Sequence, residues 1–517
     1  LSSKWLRSRI FPLLNQPFPI PDHLPRELKL KYHLLDLATA LKFIHFPQNQ
    51  GQIATAKDRL SFDELFLLQL ETLKRKLDWQ ATQLAHTLHI DQDQVAQFIH
   101  NLPFTLTSAQ NQAIKDILAD LSQVHPMNRL LQGDVGSGKT VVAAIAMYVA
   151  HSNGFQSLLM APTEILAQQH FATLTSVFAT TDIKLELVTS STKKSLAADI
   201  YVGTHALLHR KLDLDRLGLA IIDEQHRFGV TQRAQLVHHR ASPHILTMTA
   251  TPIPRTIALT LYADLNVSTL DELPAGRQII KTWIVPPAKR SAAYTWIKQE
   301  LPTHHTQAFI VHPLIDQSET LQDIKAATAE FAQLKTVFAD FNLALLHGRT
   351  KSTDKQAILK HMGRGEVDIL VCTPIVEVGL DLPQASIMVI ESAERFGLAQ
   401  LHQLRGRVGR SHHQSYCLLF TTKPDQLDTH RLKALTTTHS GIKLAELDLK
   451  LRGPGHLYGT AQHGFLNLKL ASLTDIKLLQ TTKTAAQSIL NADRELHRHP
   501  LLRQQIQAAL AKTVAPN

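Results

Sequence analysis

Apolar positions along this chain fall into two textures. In "PRELKLKYHLLDLATALKFIHF" (25–46) and "LSFDELFLLQLETLKRKL" (60–77) they recur at three- and four-residue spacing, which predicts amphipathic helices. The polar stretch "FPQNQGQIATAKD" between them is predicted as a loop. From Arg129 onward, short β-branched or leucine-rich runs alternate with helical stretches. The first series is "RLLQ" (129–132), "SLLMAP" (157–162), "DIYVGT" (199–204), "LAIIDE" (219–224) and "HILTMTAT" (244–251). The second is "QAFIVHPLI" (307–315), "LALLH" (343–347), "VDILVCT" (367–373), "IMVIES" (387–392) and "SYCLLFT" (415–421). Strands alternating with helices predict parallel, doubly wound sheets, and two series predict two such α/β domains. "DELPAGRQ" (271–278), with its Pro and Gly, reads as the linker between them.

Composition narrows the class of partner. Lys plus Arg number 54 against 44 Asp plus Glu, a net charge of +10, which favours a polyanion. The two cysteines, Cys372 and Cys417, both lie in apolar runs; two are too few for a disulfide framework or a thiolate zinc site, and they fit a reducing cytosol. The 29 histidines include pairs such as His304–His305, but none has a spacing typical of metal ligands. No apolar run approaches the ~18–20 residues of a membrane span, so no membrane partner is expected.

"GDVGSGKT" (133–140) satisfies G-x-x-x-x-G-K-[ST], following an apolar strand and opening the helix "VVAAIAMYVA". Backbone N–H groups of Gly133, Asp134, Val135, Gly136, Ser137 and Gly138 would then face the phosphates of ATP. Lys139 would reach the β- and γ-phosphates, and the Thr140 hydroxyl would ligate Mg2+. "IIDEQH" (221–226) puts two carboxylates at the end of a strand, the edge where open α/β sheets bind ligands. Asp223 is suited to hold Mg2+ and Glu224 to orient or deprotonate the attacking water. Upstream, in "FTLTSAQ" (104–110), Phe104 could stack on a base and Gln110 could read adenine N6 and N7, or Thr107 could cap a helix that Gln110 merely opens. The second series has no phosphate loop. It carries "QLHQLRGRVGR" (400–410), with Arg405, Arg407 and Arg410 expected on a helix start and turn. Arginines supplied by a neighbouring domain can stabilise γ-phosphate charge, so hydrolysis would require closed domains.

"GDVGSGKT", "APTEILAQQH" (161–170), "VGTHAL" (202–207), "DEQHRFG" (223–229), "TATPIPRT" (249–256), "VEVGLDLP" (376–383) and "QLHQLRGRVGR" occur in the order of superfamily 2 helicase motifs. Among these, "DEQHRFG" and "AERFGLAQLHQLRGRVGR" resemble the RecG family of branch-migration DNA helicases, over nearly everything from about residue 100 and more loosely over 20–100. The transcription-repair coupling translocase is the nearest alternative, but its second box typically reads DEEQRFG. The resemblance implies two tandem RecA-like domains with a helical N-terminal segment and a C-terminal helical hairpin. It implies catalytic roles for Lys139, Asp223, Glu224, Gln403, Arg407 and Arg410, with ATP and Mg2+ as cofactors. The implied partner is branched duplex DNA, at forks and Holliday junctions. A monomeric, cytoplasmic bacterial protein that touches a single-strand-binding protein is also implied.

The same resemblance explains "LDLKLRGPGHLYGTAQHG" (447–464). Its glycines are followed by no lysine and preceded by no strand, so a second phosphate cradle is not expected. It is similar to the family's TRG motif, which converts domain closure into movement along duplex DNA; Arg452 and Gln462 are the side chains expected to transmit it or touch DNA. Ala461 and His463 stand where the family usually has Arg and Ser, and Pro374 where Thr is usual. The family begins with a strand-splitting wedge domain, and this chain is expected to start within or just after it. The expected division is 1–105, a mostly helical link from the wedge; 106–275, the ATP-binding domain; 276–430, the second RecA-like domain; and 431–517, the hairpin and terminal helices. Two alternatives stand beside the translocase. One is a nucleotide-switched DNA-binding module with ATPase but little unwinding; the other, an RNA helicase, is disfavoured by the 451–464 motif.

Overall fold

The computed structural model describes every residue except 1, 16–19, 83, 190–191, 193–196, 210–213, 225–241, 252–253, 255–264, 275–277, 314–320, 375–381, 383, 410–412, 423–425, 453–467, 474 and 515–517. The chain divides into two compact units. One comprises residues 1–82, 254–266 and 452–517, and the other 83–253 and 267–451.

The first unit is helical. Helices Ser3–Leu14, Arg26–Lys31, Leu37–His45 and Gln50–Thr82 precede Ile476–Ala492 and Pro500–Val514. The expected polar loop at 46–58 is largely helix, since Gln50–Thr82 begins inside it. Its alanines favour helix, and Ala56 is fully buried, so one apolar contact outweighs the polar surroundings. The predicted helix 25–46 is instead two helices, with His33 between them at φ 53°. Phe62, Phe66 and Leu70 of the long helix share a core with Ala485, Ile489, Leu502 and Ile506. N- and C-terminal segments therefore fold together, a union that no local pattern announces.

The second unit holds two α/β lobes. In the first lobe the strands are β1 (Asn128–Gly133), β2 (Gln156–Met160), β3 (Leu185–Val188), β4 (Ile200–Gly203), β5 (Leu217–Asp223), β6 (His244–Thr249) and β7 (Asn266–Leu270). They form one sheet in the order β3-β4-β2-β5-β6-β1-β7. Pairings from β3 across to β1 are parallel. The second lobe contributes β8 (Lys281–Val285), β9 (Gln307–Val311), β10 (Leu343–Leu346), β11 (Ile369–Cys372), β12 (Ala385–Ile390) and β13 (Tyr416–Phe420). Their order is β10-β11-β9-β12-β13-β8, with every neighbour parallel. The doubly wound architecture read from the apolar runs is thus the architecture found. Each sheet carries apolar clusters on both faces, as parallel sheets must.

Residues 83–105 belong with the first lobe. Phe98, on helix Gln92–His100, stacks on Tyr148 with centroids 4.2 Å apart. Tyr148 lies on helix Lys139–Ser152, which is apolar nearly all round and has nine buried side chains. Such a helix is clamped on several sides and fixes the loop before it. Because the strands are parallel, Gly133, Asp223 and Thr249 all emerge at one edge of the sheet.

Candidate active site

Gly133–Gly138 turns from β1 into helix Lys139–Ser152. Gly136 and Gly138 have φ of 80° and 85°, the left-handed region that glycine enters without a side-chain penalty. A Cβ on Gly138 would lie 2.2 Å from Gln110 Nε2, and one on Gly133 2.5 Å from Ser137 Oγ. The loop is thus a cradle that side chains would fill. Lys139 Nζ folds back to donate to the carbonyls of Gly133 (2.8 Å) and Asp134 (3.0 Å). Burial pulls its ammonium below the ordinary lysine value; the charges of Asp223, Glu224 and Asp134 oppose that shift, and Arg407 adds to it.

Gln110 takes part in a capping box at the start of helix Ser108–Leu121. Thr107 Oγ1 accepts from Gln110 N at 3.2 Å while Gln110 Oε1 accepts from Thr107 N at 2.8 Å, a capping box. Gln110 Nε2 donates to Ser137 O at 2.8 Å, tying the cap to the phosphate loop. Both ends of its amide are thus engaged by protein. Phe104 is half exposed, with a free ring surface.

Asp223, the last residue of β5, is buried. Burial alone would raise its carboxyl, but the hydrogen bond and charge of His170, with Lys139 and Arg407, hold it below the ordinary value. His170 was missed in the sequence. Its Nε2 is 2.9 Å from Asp223 Oδ2 and its Nδ1 3.5 Å from Thr140 Oγ1, so one imidazole links the two expected Mg2+ ligands. A hydroxyl and a carboxylate both within reach of one ring suit a hard cation. Glu224 sits at φ 56°, in the left-handed region unusual for a non-glycine residue. Its Oε1 accepts from Ala250 N at 3.1 Å and its Oε2 from Thr249 Oγ1 at 3.4 Å. Strain of this kind at a carboxylate is a frequent mark of a functional position.

The second lobe reaches this site through helix Leu398–Arg405 and the turn after it. Gln403 Nε2 donates to Thr251 Oγ1 at 2.7 Å, and His402 Nε2 lies 2.9 Å from Asp134 Oδ1. Arg407 is buried, and its charge acts on both Lys139 and Asp223. One expectation is corrected. Arg405 ends a helix rather than starting one, and it faces inward, donating to the carbonyls of Leu435 (2.6 Å) and Thr438 (3.1 Å). It is a structural brace between helices. Arg410, Gln462, Ala461 and His463 lie outside the described residues, as does the Arg452 side chain. Pro374 is buried beyond β11.

Three family models match the chain: DEAD/DEAH box helicase over residues 107–260, helicase conserved C-terminal domain over 292–412, and ATP-dependent DNA helicase RecG, domain 3, C-terminal, over 438–515. ATP-dependent DNA helicase RecG of Synechocystis is 45% identical over 97% of this chain and 62% of that protein. The Bacillus subtilis protein of the same name is 42% identical over 92% of this chain and 71% of its own length. A solved structure of RecG bound to a three-way DNA junction superposes with a TM-score of 0.75 at 38% identity, covering 93% of this chain and 65% of that one. The chain thus spans about two thirds of the length of these relatives.

Proposed function

The chain belongs to the RecG family of ATP-dependent DNA helicases, and from that membership we propose that its two lobes hydrolyse ATP between them and use the cycle to drive movement along duplex DNA at branched structures such as forks and Holliday junctions. The observation that supports this most is the convergence of Lys139, Asp223, Glu224 and Arg407, drawn from the two lobes, on one buried cluster of charge.

The residues divide the work. Backbone N–H groups of the 133–138 loop and the N-terminus of helix Lys139–Ser152 hold phosphate oxygens. Lys139 leaves the two carbonyls it now occupies and donates to the outer phosphates. Thr140 and Asp223 would hold Mg2+, whose charge offsets that of the phosphates, once the His170 ring swings out from between them. Glu224, kept rigid by Ala250 and Thr249, takes a proton from water at its carboxylate. Arg407 neutralises charge from the second lobe, so hydrolysis depends on both lobes. Phe104 stacks on the base. The Gln403–Thr251 bond connects the second lobe to the strand end that holds Glu224.

Binding to DNA should be carried mainly by phosphate contacts and weaken steeply with salt, in keeping with the net charge of +10. Arg452 and Gln462 are proposed to transmit lobe movement or touch the duplex. The test is hydrolysis rate with branched duplex, linear duplex and RNA side by side, together with strand separation on a fork. Greatest stimulation by branched duplex, with fork unwinding, is expected. Stimulation by RNA alone would overturn the reading, and hydrolysis with DNA binding but no unwinding would reduce the chain to a nucleotide-switched clamp.

A further inference from the structure

Asp134 occupies the second position of the phosphate loop, yet its carboxylate is spent on the other lobe. Oδ1 lies 2.9 Å from His402 Nε2, and Oδ2 accepts from Gly441 N at 3.2 Å. Gly441 is the first residue of helix Gly441–Arg452, which runs in sequence directly into residues 453–467. A Cβ at 441 would stand 2.3 Å from Asp134 Oδ1 and 2.7 Å from His402 Nε2, so only glycine leaves the carboxylate room. Burial would raise the Asp134 carboxyl, but the His402 hydrogen bond and charge, the Gly441 N–H and Lys139 hold it below its ordinary value. It is therefore an anion at neutral pH, set against the positive end of a helix.

The contact continues into neighbouring helices. His402 Nδ1 lies 2.9 Å from Arg405 Nη2, and Arg405 grips the carbonyls of Leu435 and Thr438, the end of helix Gln426–Thr437 and the turn after it. Arg431 of that helix lies 3.5 Å from Asp448 of the next, both buried, so an ion pair joins the two helices. The main-chain oxygen of Asp134, meanwhile, is one of the two acceptors holding Lys139 Nζ. When that lysine turns to a phosphate, the same residue loses a main-chain bond while its side chain still holds the second lobe.

We infer that Asp134 is a positioning residue that reports occupancy of the phosphate loop to helix Gly441–Arg452, through the Gly441 N–H and the His402 ring. The translocase proposed above gives this link its use, but the link itself is a property of the chain without DNA. Hydrogen exchange measured by mass spectrometry on peptides covering 438–450 tests it, with and without a saturating non-hydrolysable ATP analogue and with no DNA present. Exchange at the 441–444 amides should change at least fivefold with nucleotide in the native chain. In Gly441→Ala and in Asp134→Ala the response should fall below twofold, while a fluorescent nucleotide titration confirms saturation. An unresponsive native chain, or an intact response in both variants, would overturn the inference. Because DNA is absent, failure of branched DNA to stimulate hydrolysis would strike only the translocase reading.

Discussion

Replacing Gly138 by alanine probes the packing beneath the phosphate loop. Two costs add. An alanine held at the observed φ of 85° carries about 1–2 kcal/mol of left-handed strain. Its Cβ also occupies the space 2.2 Å from Gln110 Nε2, expelling that amide from its bond to Ser137 O. A buried amide left without a partner costs roughly 1–3 kcal/mol. Together they predict destabilisation of about 2–5 kcal/mol, and at roughly 2–4 °C per kcal/mol for a lobe of this size the melting temperature falls by about 4–20 °C. Gln110→Ala alone loses the capping box and the Ser137 bond, about 1–3 kcal/mol. The double variant settles the matter, because removing the Gln110 side chain removes the collision. Its destabilisation, followed by calorimetry or urea titration, should be less than the sum of the singles by about 1–3 kcal/mol. Strict additivity, or a Gly138→Ala variant that melts within 2 °C of the parent, would refute the packing argument.

Three further outcomes follow from buried groups. Burial pushes the Cys417 thiol up to about 12 and raises Cys372 further, so neither should react with iodoacetamide at pH 8 until urea unfolds the chain; prompt native labelling would contradict their placement. Arg431 and Asp448 are both buried, so Arg431→Ala should cost about 3–5 kcal/mol in urea titration by stranding the aspartate, whereas a cost under 1 kcal/mol would show the pair to be solvated. Asp22 is raised by burial but more than offset by the Leu24 and Leu37 N–H groups, Arg59 and Lys29, and its net shift is downward. A depressed carboxyl stabilises above its unfolded pKa of about 3.9 and loses that contribution as pH falls through the lower folded value, so Asp22→Asn should flatten the acid limb of the stability curve below about pH 4. An unchanged acid limb would remove Asp22 from the account.

What the sequence disclosed follows from how locally each feature is encoded. Nine of the ten legible strands lie inside their sheets, where burial on both faces reads as an unbroken apolar run, and the edge strand β10 was legible through its leucine-rich composition alone. β3, β7 and β8 are the other three edge strands and escaped notice because their sequences are not continuous apolar runs: β3 carries Glu186, β8 alternates exposed and buried positions, and β7 carries Asn, Ser and Thr. The phosphate loop and the Asp223–Glu224 pair declared themselves because each is encoded within one short contiguous segment at a strand end. His170 and His402 did not, because each acquires its meaning from a partner supplied by another strand or lobe. The basic run misled at Arg405, since sequence gives charge but not direction, and this guanidinium found carbonyls at a helix end. Gln110 was ambiguous for a physical reason: the same amide suits a capping box and an adenine edge.

The central claim is that hydrolysis needs a cation from the second lobe at a nucleotide held by the first. Single-turnover hydrolysis by Arg407→Ala, alongside fluorescent-nucleotide binding to the same preparation, tests it most directly. The account predicts binding within about threefold of the parent and hydrolysis slowed by roughly 10³-fold or more, the scale of a lost arginine at a γ-phosphate. Hydrolysis within tenfold of the parent at full nucleotide occupancy would contradict it.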